Sequence, residues 1–144
     1  MATMQLGRQD DDTLVGFYLM VAGQIEVGDF KGVDQIYCKY DFTYGSDWVI
    51  LSGVDKGISQ IAAKAGGGDT TVVWNMPIDV SFKSTNAFGW PRLVVSVFGI
   101  NSMGVDVARG YGSVLIPTVP GRYERYVRTF RPLSTSVFQQ ALAW

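Results

Sequence analysis

The chain has 144 residues, a net charge of −1, 47% hydrophobic and 17% charged residues, a composition that suits one folded core rather than a disordered chain. No run approaches the roughly 20 apolar residues a membrane-spanning helix needs, and residues 1–12, with Arg8 followed by Asp10, Asp11 and Asp12, lack the basic start and apolar stretch of a secretory signal. With no histidine and one cysteine, Cys38, the chain lacks the parts for Ser-His-Asp or Cys-His catalysis, an intrachain disulfide or an ordinary structural zinc site.

Alternation at period two dominates from the N-terminal side onward, and glycine, proline or asparagine interrupts it about every dozen residues. Val15, Phe17, Leu19, Val21, Gly23, Ile25 and Val27 form one row of a first strand. Ile36, Cys38, Tyr40, Phe42 and Tyr44 form a second, opposed by Tyr37, Lys39, Asp41 and Thr43. Residues 57–65 are a candidate short helix ending at Gly66-Gly67-Gly68. Ile78, Val80 and Phe82 then alternate with Asp79, Ser81 and Lys83. Leu93, Val95 and Val97 alternate with Val94, Ser96 and Phe98, the pattern of a central strand. Residues 105–116 are broken by Gly110 and Gly112, which predicts a bend or bulge. A last strand is expected over 123–130, between Pro120-Gly121 and Pro132. Ser136 and Gln139 have capping-box spacing, so a short helix is expected within 133–144. Strands this regular must hide their apolar rows against each other, and a two-sheet antiparallel sandwich is the economical solution.

Charge is uneven along the chain. Residues 1–106 carry seven basic and twelve acidic side chains, whereas residues 107–144 carry five arginines and Glu124. The arginine-rich part is a candidate electrostatic footprint. Cys38 lies among Ile36, Tyr40 and Phe42 and reads as a buried thiol rather than a nucleophile. Asp79 falls on the polar side of its strand and Asp106 beside a turn, a poor pair for glycoside hydrolysis. Gly110-Tyr111-Gly112 is too short for a nucleotide-binding signature.

Three blocks carry a family resemblance. The first runs from Gly23-Gln24-Ile25-Glu26 through Gly32-Val33-Asp34 and Ile36-Tyr37-Cys38-Lys39-Tyr40 to Tyr44-Gly45-Ser46-Asp47-Trp48. The second joins Gly57-Ile58-Ser59-Gln60 and Val73-Trp74-Asn75-Met76-Pro77-Ile78 to Phe82-Lys83-Ser84-Thr85-Asn86 and Gly89-Trp90-Pro91. The third is Ser96-Val97-Phe98-Gly99, Asp106-Val107, Arg109-Gly110-Tyr111-Gly112, Ile116-Pro117 and Pro120-Gly121-Arg122. Over residues 21–122 this order of rare tryptophan, proline and glycine positions resembles the B9 domain family. The resemblance implies an all-β fold, a C2-like antiparallel sandwich. Family members continue past the point matching Trp144 and supply another strand, so a sandwich lacking its final strand, with an open edge, is expected. The division expected is an acidic N-terminal tail over 1–12, a B9 (C2-like) domain over 13–132 and a C-terminal segment over 133–144.

The resemblance further implies a non-enzymatic scaffold, cytoplasmic, at the ciliary transition zone and basal body. It would sit in the Meckel-syndrome complex that supports cilium formation and controls entry of ciliary membrane proteins. Its implied partners are other B9-domain proteins, namely B9 domain-containing protein 2 and the Meckel syndrome type 1 protein. No cofactor, catalytic residue or metal is implied. Gly99 and Asn101 stand where calcium-binding C2 domains place aspartates, leaving Asp29, Asp34 and Asp106 as thin coordination. The candidate partner or lipid surface is Lys83, Trp90, Arg92, Arg122, Arg125 and Arg128, joined by Lys39 if the cations share one concave face. A calcium-independent module binding an anionic membrane surface is the alternative, and a jelly-roll carbohydrate binder using Trp48 and Trp90 is a third reading. Nucleic acid fits poorly, because the chain is slightly acidic overall and has no reader motif.

Overall fold

A computed structural model describes the backbone of residues 2–8 and residues 16–130 in full. Nine strands follow in order: β1 (Ala2–Arg8), β2 (Phe17–Asp29), β3 (Ile36–Thr43), β4 (Trp48–Gly53), β5 (Lys56–Ile58), β6 (Thr71–Ser84), β7 (Arg92–Ile100), β8 (Asp106–Leu115) and β9 (Gly121–Tyr123). Sheet I has the order β4-β6-β2-β1-β9 and sheet II the order β5-β3-β7-β8, and every pairing is antiparallel. The molecule is therefore an all-β sandwich, with no helix among the described residues.

Strand alternation decides what each sheet buries. In β6 the even positions from Val72 to Ser84 are buried, while Val73, Asn75, Pro77 and Asp79 are exposed. Leu19 and Val21 from β2 share this inner face, and Ile36, Cys38, Tyr40, Phe42, Val95 and Val97 meet them from sheet II. Each such large side chain contributes about 2 kcal/mol by leaving water. Phe82 is central: Phe42, Tyr44 and Trp48 stand edge-on to its ring at centroid distances of 5.5, 5.2 and 6.5 Å. Proline is tolerated in β6 because β4 pairs with it only as far as Val80, so β6 is an edge at Pro77. Bulges shift the register in β2 between Ile25 and Val27, in β4 between Ile50 and Ser52, and across β7–β8 beside Arg109 and Gly110.

Three expectations change. Within the expected N-terminal tail, Ala2–Arg8 forms β1, paired with β2 over seven positions and with β9 over three. Ala2, Met4 and Leu6 do alternate with Thr3 and Gln5, but the row is short and runs into the charged stretch Arg8 to Asp12, which masked it as a strand. Residues 57–65 are extended rather than helical. Gly57 and Ile58 belong to β5, the Ser59 amide donates to the Cys38 carbonyl (2.8 Å), and Ile36 and Ala62 exchange backbone bonds of 3.0 and 2.9 Å. The free edge of β3 supplies those partners, which a short isolated helix could not outbid. The strand expected over 123–130 stops at Tyr123, and only Phe130 pairs again, exchanging hydrogen bonds with Tyr111. The helix expected within 133–144 lies outside the described residues.

Candidate functional site

Tryptophan side chains close the ends of the sandwich instead of forming an exposed platform. Trp74 is buried, and its Nε1–H donates to the Ile36 carbonyl (3.1 Å), tying the two sheets together. At the other end Trp48 is buried and donates to the Phe88 carbonyl (2.9 Å), while half-buried Trp90 stands edge-on to it at 5.1 Å. Trp90 donates in turn to the Ile116 carbonyl (2.8 Å). Gly45 and Gly89 meet back to back beside this pair. A Cβ on Gly89, whose φ is +74°, would lie 2.5 Å from the Gly45 Cα. With Trp48 enclosed, the pair does not offer the two open ring faces that stacking a sugar between them would need.

The six residues singled out for a partner or lipid surface do not share one face. Lys83 lies on the outer face of sheet I, its ammonium 5.6 Å from the Tyr18 ring centroid. Arg92 lies on the outer face of sheet II, donating to the Ser113 hydroxyl (3.2 Å), and Lys39 sits on that same face over the Phe98 ring. Trp90 belongs to the end plug between them. Arg122, Arg125 and Arg128 gather along the flank of β8 and β9. Arg122 is in β9, Arg125 lies over the Tyr123 ring at 5.3 Å, and Arg128 follows in irregular chain whose carbonyl approaches Gly112. Because β9 ends at Tyr123, strand alternation does not sort these three arginines into two faces. All three are exposed, as are Tyr126 and Phe130 between and beyond them.

The opposite flank, closed by β4 and β5, has a different surface. Val49, Ile50, Leu51, Val54, Ile58 and Ile61 are all exposed there, by 37 to 64%, within thirteen residues. Sequence reasoning placed no strand over 48–53, because the run Trp48-Val49-Ile50-Leu51 does not alternate in polarity. The signal that could have found it was that uninterrupted β-favouring run itself.

Acid–base equipment is engaged in holding loops. The Asp34 carboxylate accepts from the amides of Lys64 (2.7 Å) and Gln35 (2.8 Å), and these bonds hold it below the usual carboxylate range. Asp29 accepts from the Thr70 hydroxyl (2.5 Å). Asn101 Oδ1 caps its own turn, accepting from the amides of Met103 and Val105, and Gly99 is buried within β7. Among the described residues no three His, Cys, Asp or Glu side chains cluster as a metal site. Asp79 and Asp106 lie on different sheets and cannot act as a carboxylate pair. Burial pushes the Cys38 thiol up, away from its nucleophilic form.

A family model described as B9-C2, ciliary basal body-associated B9 protein, matches residues 19–144. B9 domain-containing protein 1 of Xenopus laevis is 50% identical over 128 residues, spanning 89% of this chain and 65% of that protein. Its counterpart in Homo sapiens is also 50% identical over 128 residues, spanning 89% of this chain and 63% of that protein. B9 domain-containing protein 2 of Rattus norvegicus is 33% identical over 124 residues, covering 86% and 70% of the two chains. The chain thus spans just under two thirds of the length of the first two relatives. No solved structure matches it.

Proposed function

The chain belongs to the ciliary basal body-associated B9 protein family, and from that premise we propose that it is a non-enzymatic scaffold subunit of a complex at the ciliary transition zone. There it assembles with other B9-domain proteins, B9 domain-containing protein 2 and the Meckel syndrome type 1 protein, and supports cilium formation and the gating of ciliary membrane proteins. The observation that carries this reading is the continuous family match from residue 19 to residue 144, which spans both sheets and both flanks of the sandwich. The cluster of Arg122, Arg125 and Arg128 beside a short edge strand is the surface for an acidic partner patch, where charge steers association more than it adds affinity.

Autonomous binding to an anionic membrane is the weaker reading, since Lys83 and Arg92 point away from opposite sheets and cannot meet one bilayer together. The test is co-purification of the chain with B9 domain-containing protein 2 and the Meckel syndrome type 1 protein, in pairs and as a ternary mixture, alongside vesicle flotation of the chain alone. A stable complex without flotation is expected. Flotation on phosphatidylserine vesicles without any complex would overturn the scaffold reading in favour of the membrane one.

A further inference from the structure

An edge strand leaves every second residue's backbone groups facing away from its sheet, and folded proteins guard long edges with charge, proline or a covering segment. Three edges of this sandwich are guarded. β5 and β9 are three residues long and carry Lys56 and Arg122. β8 carries Asp106 and Arg109 and is bridged by Phe130. Where β6 outruns β4 it presents Pro77 and Asp79, and the Gln60 amide caps the Trp74 carbonyl (3.0 Å).

β4 is different. From Trp48 to Val54 there is no charged residue, and five of its six strand positions are exposed. Among the described residues, the backbone of 49–53 bonds to no element other than β6. The one guard on this edge is the bulge at Leu51, which adds a further exposed apolar side chain, and exposed Val54 follows just past the strand. An aliphatic strip of this kind beside an open edge marks a docking surface.

We infer that β4 accepts an extended strand from a partner protein, added to sheet I at its β4 edge. Charge sets the partner's chemistry. On the outer face Lys83 stands beside Val49 at one end of β4, and Asp79 precedes Val80, which pairs with Gly53 at the other. The fitting segment is therefore apolar at alternate positions, acidic towards the Val49 end and basic towards the Gly53 end. Main-chain hydrogen bonds supply the attachment, and the Leu51 and Val54 contacts supply selectivity. This rests on the scaffold reading and gives that scaffold a second docking flank, opposite the arginines.

The experiment titrates B9 domain-containing protein 2 onto the full chain, comparing wild type, Leu51→Lys and Leu51→Thr, with melting curves and sedimentation of each chain alone. Expected are at least tenfold weaker binding for Leu51→Lys, an intermediate loss for Leu51→Thr, and unchanged melting. Wild-type affinity in a folded Leu51→Lys protein overturns the inference and leaves the scaffold reading standing. If wild type fails to bind yet forms a dimer that Leu51→Lys abolishes, the occupant is a second copy, and the stated partner falls together with the scaffold reading. A wild type that neither binds nor self-associates overturns both.

Discussion

The flank made by β4 and β5 and the flank made by β8 and β9 close the same sandwich by opposite means. The first presents aliphatic side chains on an uncharged edge, and the second presents Arg122, Arg125 and Arg128 interleaved with Tyr123 and Tyr126. Both are held from inside by close backbone approaches at glycine. At the end of β4 a Cβ on Gly53, whose φ is +79°, would lie 2.1 Å from the Asp79 carbonyl oxygen. On β8 a Cβ on Gly112 would lie 2.6 Å from the Arg128 carbonyl oxygen. The difference is in what could yield: Asp79 is fixed inside sheet I, whereas Arg128, among the described residues, belongs to chain attached by one bridge at Phe130. A contact that charge steers tolerates a flank that can adjust, while strand addition requires one that is fixed.

The largest expected effect lies beneath the aliphatic flank. Val80 is fully buried and pairs with Gly53, so Val80→Asp places an unpaired carboxylate in the core and should cost 4 kcal/mol or more, roughly the value that marks a severe lesion. Gly53→Ala should cost about 3 kcal/mol, from left-handed strain and overlap with fixed backbone. Gly112→Ala should cost only about 1 kcal/mol, because its neighbour can move. Chemical denaturation of the three variants measures this order. Equal losses for Gly53→Ala and Gly112→Ala would erase the contrast between a fixed and an adjustable flank. Asp79→Asn, on the solvent side of the same strand, should stay within about 0.5 kcal/mol of wild type. The smallest effect concerns rates. Replacing Arg122 and Arg125 with glutamate should slow association with a B9 partner about three- to tenfold at low salt, with the gap closing at high salt and melting unaltered. Stopped-flow mixing at two ionic strengths reads this, and an unchanged rate would leave the arginine flank as solvated surface.

Legibility in the sequence followed the period of the pattern. β2 as far as Ile25, β3, the second half of β6 and β7 were readable from their alternation, as were the buried setting of Cys38 and the bulge near Gly110 in β8. Val27 leaves its expected row because the bulge after Ile25 turns it out to 51% exposure. β4 was hidden because an edge strand with an exposed apolar outer row loses its alternation. β1 was hidden because its row of Ala2, Met4 and Leu6 is short and leads into a charged stretch; it forms a local hairpin with β2 and takes β9, over a hundred positions away, as its second neighbour. Residues 57–65 read as helix because spacing cannot reveal that β3 offers them backbone partners. The basic residues were found individually, but sheet membership, which places Lys83 and Arg92 on opposite outer faces, is a property of topology rather than composition.

That same distant pairing bears on biosynthesis. Ala2 pairs with Tyr123, so β1 has one neighbour in β2 early on and gains the other only when residues 121–123 have been made. At about 5–20 residues per second the delay between completing β2 and completing β9 is roughly 5–19 s, long compared with the microseconds in which a hairpin such as β1–β2 forms. During that interval the nascent chain carries the outer edge of β1 unpaired at the ribosome exit. Slowing translation between β2 and β9 lengthens that exposure, so codon usage in this stretch is a lever on the yield of folded protein.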